Sequence, residues 1–168
     1  MNRKFATLAT LATGALVACA TPPTTGVVIT NIAVEEAPAE VRALAEGAAV
    51  GFAIAEVQKK VRDGRTYYDV EGQLPDGSEL EFDILMTAAG PEIVETQRDL
   101  DWSAVPEAVR TAAEAVTPGL SPVRVIESTQ TDGTIIFEFF APGAPSDPAM
   151  EISWMGGVAT VLEERWPH

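Results

Sequence analysis

Apolar residues recur with helical spacing at two places along the chain. One set follows Pro38 and the other follows Pro106, where a proline suits a helix start because its missing N–H costs little there. The spacing i, i+3, i+4, i+7 places an apolar stripe on one side of a helix. The pattern therefore predicts two short helices. Their stripe residues are Val41, Leu44, Ala45 and Ala48, then Val109, Ala112, Ala113 and Val116.

Alternation of apolar and polar residues predicts strands after each helix. It runs through "TYYDVE" (66–71), "ELEFDIL" (79–85), "IIFEFF" (135–140) and "MEISWM" (150–155). One apolar side per strand is typical of antiparallel strands that cover a helix on one face only. The acids Glu79, Glu81 and Asp83 are then expected to form the solvated side of their strand.

Residues 37–97 can be laid over residues 105–165. "PAEVRALAEGA" matches "PEAVRTAAEAV", "DGRTYYDV" (63–70) matches "DGTIIFEF" (132–139), and "LEFDIL" (80–85) matches "MEISWM". Agreement of several elements in one order indicates an internal repeat.

The order of these motifs resembles the PepSY and PepSY-like domains. It comprises a helix starting at "xPxxV", a "DG" turn, an aromatic-rich strand, a second "DG" turn, an "E-apolar" strand and a Gly-led last strand. The second copy departs from it with "APGAPSDP" (141–148) in place of the second "DG", and the first helix carries Gly47. The resemblance implies a small α+β fold related to the β-lactamase-inhibitor protein. It also implies an exported or membrane-anchored protein that inhibits peptidases or binds other envelope proteins, without shared catalytic residues.

The first 19 residues have the composition of an export signal. Two basic residues precede the apolar run at 5–17, which is too short to span a bilayer because spanning takes about 20 residues. The run ends in "LVAC", which resembles a bacterial lipobox and implies cleavage before Cys19 and lipid attachment to it. The alternative is an ordinary secretory signal with an incidental cysteine. By resemblance to the sorting rules of enterobacterial lipoproteins, Ala20 in place of Asp after the cysteine implies the outer membrane, with the protein facing the periplasm.

These patterns together give the expected organisation. The expected fold class is α+β, with two tandem repeats, each a helix packed on a small antiparallel sheet. A signal peptide occupies 1–18, and a lipidated tether occupies 19–36. Within the tether, 27–34 is either part of the tether or an extra edge strand. The PepSY-like units occupy 37–98 and 99–168.

Charge and composition narrow the classes of partner. Hydrophobic residues make up 46% of the chain, enough for a folded core. The net charge is −14, and all 25 acidic residues follow Cys19. Such a surface repels nucleic acid, so a nucleic-acid partner is not expected.

The chain offers little for catalysis. Its only histidine is His168, and its only cysteine is Cys19, which lipid attachment would consume. A Ser-His-Asp triad needs a base within hydrogen-bond reach, and zinc sites are built largely from His and Cys. No nucleotide-binding glycine motif occurs, and no loop approaches the ligand spacing of calcium sites. The sequence therefore predicts no catalytic residue, no metal site and no cofactor.

Large apolar residues at outward strand positions are the remaining candidates for function. Tyr67, Ile136 and Phe140 lie opposite the expected core side of their strands, and Trp166 follows the last strand. Such residues often mark a partner surface. Alternatively, the two sheets pack on each other, or 27–34 covers these residues. The sequence thus favours a lipid-anchored envelope protein that binds an exported protein, with a peptidase as one class of partner. A small scaffold or assembly lipoprotein of the outer membrane is the alternative, and an enzyme ranks third.

Overall fold

The computed structural model describes residues 26–144 and 146–166, which form nine strands and two α-helices. The signal segment, Cys19 and the first part of the tether lie outside the described residues. Helix α1 spans Ala39–Ala48 and helix α2 spans Glu107–Val116. The strands are β1 Val28–Ile32, β2 Ala53–Arg62, β3 Arg65–Gln73, β4 Glu79–Thr87, β5 Gly90–Asp99, β6 Arg124–Gln130, β7 Ile135–Phe140, β8 Met150–Met155 and β9 Val158–Val161.

All nine strands pair antiparallel, each with its neighbours in the chain, in the order β1 to β9. The expected fold class of two tandem repeats, each with its own small sheet, is therefore wrong. The finding that overturns it is the pairing of β5 with β6, from Glu95 opposite Gln130 to Asp99 opposite Ile126. This pairing has a physical reason, because separate sheets would each leave an edge with unpaired N–H and C=O groups.

Residues 27–34, which the sequence left open between tether and edge strand, contain β1. This strand pairs with β2 from Val28 opposite Val61 to Ile32 opposite Val57. It forms one edge of the sheet and β9 forms the other. Neither described helix has the length and apolar character that a membrane crossing requires.

Both helices pack on the same face of the sheet, here called the helix-covered face. Helix α1 buries Val41 and Ala45, and α2 buries Val109 and Ala113, which confirms the middle of each predicted stripe. The last stripe residues, Ala48 and Val116, are exposed because they lie at the helix ends. Two apolar clusters form beneath them. The first holds Ala37, Val41, Ala45, Phe52, Val57, Tyr68, Val70, Phe82 and Ile84; the second holds Val105, Val109, Ala113, Val125, Phe137, Phe139, Met150 and Ile152.

The opposite side of the sheet, here called the helix-free face, has no helix over it among the described residues. Side chains alternate along a strand, so this face receives the residues between those of the two apolar clusters. It carries Lys60, Asp69, Asp83 and Glu95 in the first half of the sheet and Ile136, Glu138 and Glu151 in the second. Several of these side chains are buried although no layer built from the described residues covers them. Neighbouring side chains in the wide, twisted sheet therefore shield one another.

Candidate functional site

Five carboxylates lie together on the helix-free face in the first half of the sheet. In the strand register, Asp69 of β3 stands opposite Asp83 of β4, and Asp83 stands opposite Glu95 of β5. Two residues along, Glu71 stands opposite Glu81. Like charges directly opposite each other destabilise a sheet. We call these five residues (Asp69, Glu71, Glu81, Asp83 and Glu95) the acidic patch.

One buried lysine lies within the acidic patch. The Nζ of Lys60, on β2, lies 2.9 Å from Oδ2 of Asp69, and the two side chains are 9% and 12% exposed. Next to it, the guanidinium of Arg62 lies over the ring of Tyr67, 5.0 Å from the ring centroid. Burial makes the Lys60–Asp69 pair costly to break, because each partner would leave the other charged and desolvated.

Two carboxylate oxygens of the patch have no hydrogen-bond partner in the part of the chain that the structure describes. They are Oδ1 of Asp69 and Oδ1 of Asp83, and both atoms are buried. The whole Asp83 residue is 4% exposed. Buried polar groups are nearly always hydrogen-bonded in native proteins, and an exception calls for a functional or structural explanation.

Burial raises the pKa of two patch carboxyls. For Glu81 the pKa rises to about 7, chiefly because the group is desolvated and also because Asp69, Glu71 and Glu95 are negative, while Lys60 acts in the opposite direction. For Asp83 the pKa also rises to about 7, again chiefly by desolvation, with Asp69 and Glu95 raising it and Lys60 and Arg62 lowering it. Both groups therefore change charge near neutral pH.

A break in the strand register lies beside Asp83. Asp83 stands opposite Glu95, but the next residue, Ile84, stands opposite Ile93, so β5 carries one extra residue here, Val94. Such a bulge bends a strand and re-aims its side chains, and bulges are frequent next to functional sites. A shallow recess adjoins the patch at Glu71 and Glu81, and Gln97, Asp99 and Arg124 are among the other residues that line it.

The second half of the helix-free face also places two acids opposite each other, Glu138 of β7 and Glu151 of β8. Here the chain itself supplies partners. Arg165 Nη1 donates to Oε1 of Glu151 at 3.1 Å, and the backbone N–H of Trp166 donates to Oε2 at 2.6 Å. Arg165 also donates through Nη2 to Asp147 at 3.0 Å. Both oxygens of the buried Glu151 are thus hydrogen-bonded.

Tyr67, Ile136 and Phe140, the apolar residues that the sequence singled out, all lie on the helix-free face. Their side chains are 6%, 0% and 3% exposed, so they offer almost no area to a partner in this conformation. Arg124 also covers Phe140, 5.7 Å from its ring centroid. Trp166 is half-buried beside Glu151. The structure does not bring these four residues into one patch, and their role as a partner surface stays a prediction.

The acidic patch is what sequence reasoning missed. Glu79 is exposed, as expected for a solvated side, but Asp83 is buried and Glu81 is partly buried. The signal was present as alternating acids on neighbouring strands, "DVE" at 69–71 and "EFD" at 81–83. Drawing the register of the hairpin around "PDGS" would have placed those acids opposite one another. Within residues 26–144 and 146–166, no three His, Cys, Asp or Glu side chains converge in a way that would hold a metal ion.

No protein-family model, no curated protein and no solved structure matches the chain.

Proposed function

We propose that the protein is a lipid-anchored, non-enzymatic binding module of the cell envelope, and that its helix-free face receives a partner protein. The observation that carries the proposal is the group of carboxylates on this face, with a buried Asp83 oxygen that no described residue satisfies. Unsatisfied buried polar groups cost stability. A binding surface gives such groups a function, because a partner that supplies the missing donors is recognised by them.

The anchor in this proposal is lipid on Cys19, which the "LVAC" lipobox supports. Several acyl chains on one residue hold a protein at a membrane, since each buried CH₂ contributes about 0.8 kcal/mol. In this proposal a Pro/Thr-rich tether at 20–26 connects the acidic folded domain to the lipid anchor. Replacing Cys19 with Ser should move the protein from the membrane fraction to the soluble fraction. If the variant stays with membranes, the anchor is wrong.

Inhibition of an exported peptidase is the first form that this binding would take, as the PepSY resemblance implies. Assembly or scaffolding at the outer membrane is the alternative, and the same binding face would serve it. The two differ in the class of partner that is recovered. A peptidase supports inhibition only if the purified protein also slows its turnover, whereas an outer-membrane assembly protein supports the alternative.

The test uses the tagged full-length protein, recovered from crosslinked and detergent-solubilised envelopes. Two variants with the same change of charge test which face of the protein binds the partner. Glu71→Arg alters an exposed residue of the acidic patch, and Glu114→Arg alters an exposed residue of α2. We expect Glu71→Arg to lose the partner and Glu114→Arg to keep it. If both variants keep it, the helix-free face is not the binding surface.

A further inference from the structure

The chain contains an internal example of how a carboxylate on the helix-free face is satisfied. Glu151 is 4% exposed, and it accepts the Arg165 guanidinium and the Trp166 N–H. The donors come from the segment after β9, which returns to β8. Arginine is well suited to such a position because its planar guanidinium presents several N–H donors and is more weakly hydrated than an ammonium group.

In the first half of the sheet, the residue that matches Glu151 is Glu81, because "LEFDIL" and "MEISWM" align. The chain runs from β5 towards α2 here, and the N–H of Leu100, just after β5, donates to the backbone oxygen of Val125 on β6 rather than to β4. Beside Glu81, Oδ1 of Asp83 and Oδ1 of Asp69 are buried without hydrogen-bond partners among the described residues. Lys60 meets Asp69 through the other oxygen only. The first half therefore presents acceptor oxygens that lack a donor.

We propose that the acidic patch accepts an arginine side chain of the partner protein, as Glu151 accepts Arg165 within the chain, and that patch side chains move aside to admit it, because Oδ1 of Asp69 and Oδ1 of Asp83 are buried. This inference rests on the proposed binding function and names the chemistry of the partner. Charge favours it, because the five carboxylates of the patch outnumber the two basic groups beside them, Lys60 and Arg62, and an added cation relieves their repulsion. A bound metal ion is a poorer candidate, since the described side chains do not converge as ligands.

Proton release should accompany the binding. Burial holds the Glu81 and Asp83 pKa values near 7, and an incoming guanidinium favours the ionised carboxylates. The charged groups that face these two carboxyls are Lys60 and Arg62 on β2, Asp69 and Glu71 on β3, and Glu95 on β5. Binding should therefore be tighter at about pH 8 than at about pH 6, because fewer protons then have to leave.

The test uses full-length protein in detergent micelles, labelled with ¹³C at its Asp and Glu carboxyl carbons. The probe is the peptide acetyl-Gly-Arg-Trp-amide, which carries the Arg-Trp pair of the C-terminal segment. Its control contains citrulline, a neutral residue of almost the same shape, in place of arginine. We expect saturable shifts of the Glu81 and Asp83 carboxyl signals, and binding about tenfold weaker for the citrulline peptide, as expected for loss of a charge-assisted hydrogen bond.

Two protein variants complete the design. Asp83→Asn should weaken binding of the arginine peptide about tenfold, whereas Glu114→Gln, with the same loss of charge on an exposed part of α2, should leave it unchanged. Amide spectra check that each variant is folded, and Glu81→Gln replaces Asp83→Asn if that variant is not. The inference is overturned if the arginine peptide does not bind, if citrulline binds equally well, or if the patch variant and Glu114→Gln behave alike.

Failure of this inference can be distinguished from failure of the proposed function. One such outcome is that the envelope partner is lost with Glu71→Arg and still captured with Asp83→Asn. That result supports the helix-free face as the binding surface and overturns the arginine inference. Binding of the peptide with the expected dependence on Asp83 supports the inference on purified protein, independently of the envelope experiment.

Discussion

On β8 the buried carboxylate of Glu151 is held by an arginine and a backbone N–H of the same chain, whereas on β4 an oxygen of the buried Asp83 has no partner among residues 26–144 and 146–166. Both residues lie on the helix-free face of one sheet. The halves also differ at matching positions, since Ser153 stands where the first half has Asp83. The second half therefore resembles a completed structural surface, and the first half resembles a surface that a partner completes.

This difference places a cost in stability on the acidic patch, where Oδ1 of Asp83 lacks, among the described residues, the kind of donor that Glu151 has in Arg165. Opposed carboxylates and unsatisfied oxygens destabilise the first half. Proteins often break the rules of stability at functional sites and compensate elsewhere. The comparison can be tested by changing each half in turn and measuring the free energy of unfolding.

The largest expected effect is a dependence of stability on pH that originates in the first half. Burial raises the Glu81 and Asp83 pKa values from their ordinary range to about 7. At these two groups the folded state therefore binds more protons than the unfolded state, so their contribution to stability is fully present below about pH 4 and is lost as pH rises through 7. Each group contributes at most about 1.4 kcal/mol per pH unit, so the loss between about pH 5 and 7.5 is on the order of 3–5 kcal/mol.

Urea unfolding at a series of pH values measures this loss. Asp83→Asn removes one of the titrating groups and should flatten the curve, whereas Glu114→Gln on α2 should leave its slope unchanged. A wild-type protein whose stability rises between pH 5 and 7.5 would show that the patch carboxyls are not desolvated in solution.

The second prediction removes the buried cation of the first half. Lys60→Met leaves Asp69 buried among like charges and should destabilise the protein by about 3–5 kcal/mol, as breaking a buried ion pair does. Lys59→Met changes the same residue type one position away, where the side chain is exposed, and should cost less than about 0.5 kcal/mol. Thermal or chemical unfolding compares the two, and equal losses would contradict the burial of the Lys60–Asp69 pair.

The helices and strand faces were predictable from the sequence because they depend on local spacing. The stripe that contains Val41 and Ala45 is complete within one helix, and alternation alone places Ile136 and Phe140 opposite the core. The single sheet was not predictable in this way, since β5 and β6 pair across 24 residues that include α2. Alternation indicates which side of a strand is apolar but not which strand lies beside it.

The acidic patch was missed for a related reason. Each of its strands, considered alone, shows acids on the side away from the core, which is the usual sign of a solvated face. Only the register shows that Asp83 has an acid on either side, at Asp69 and Glu95. Burial of Ile136 was among the alternatives that the sequence left open, but its source, neighbouring strands of one wide sheet, is a property of the whole fold.

The third prediction concerns the second half of the sheet, where it removes the arginine that donates to Glu151. Arg165→Ala leaves the buried Glu151 with only the Trp166 N–H, and should destabilise the protein by about 1–2 kcal/mol because a charge-assisted hydrogen bond is lost. Asp147→Ala removes the other carboxylate that Arg165 contacts, which is 80% exposed, and should cost less than about 0.5 kcal/mol. If the two losses, measured by urea unfolding, are equal, Glu151 does not depend on the arginine.

The smallest expected effect comes from a substitution in α1 that introduces the residue found at the matching position of α2. Gly47 of α1 aligns with Ala115 of α2, and a Cβ at Gly47 meets nothing within 4 Å. Gly47→Ala should therefore stabilise the protein by about 0.5–1 kcal/mol, because glycine loses more backbone entropy in a helix than alanine does. Gly72→Ala on β3 is the control of opposite sign, since its Cβ would overlap the Ala53 backbone oxygen and the Phe52 ring. Thermal unfolding should rank Gly47→Ala above wild type and Gly72→Ala below it; a loss of stability in Gly47→Ala would show that the end of α1 needs the glycine backbone.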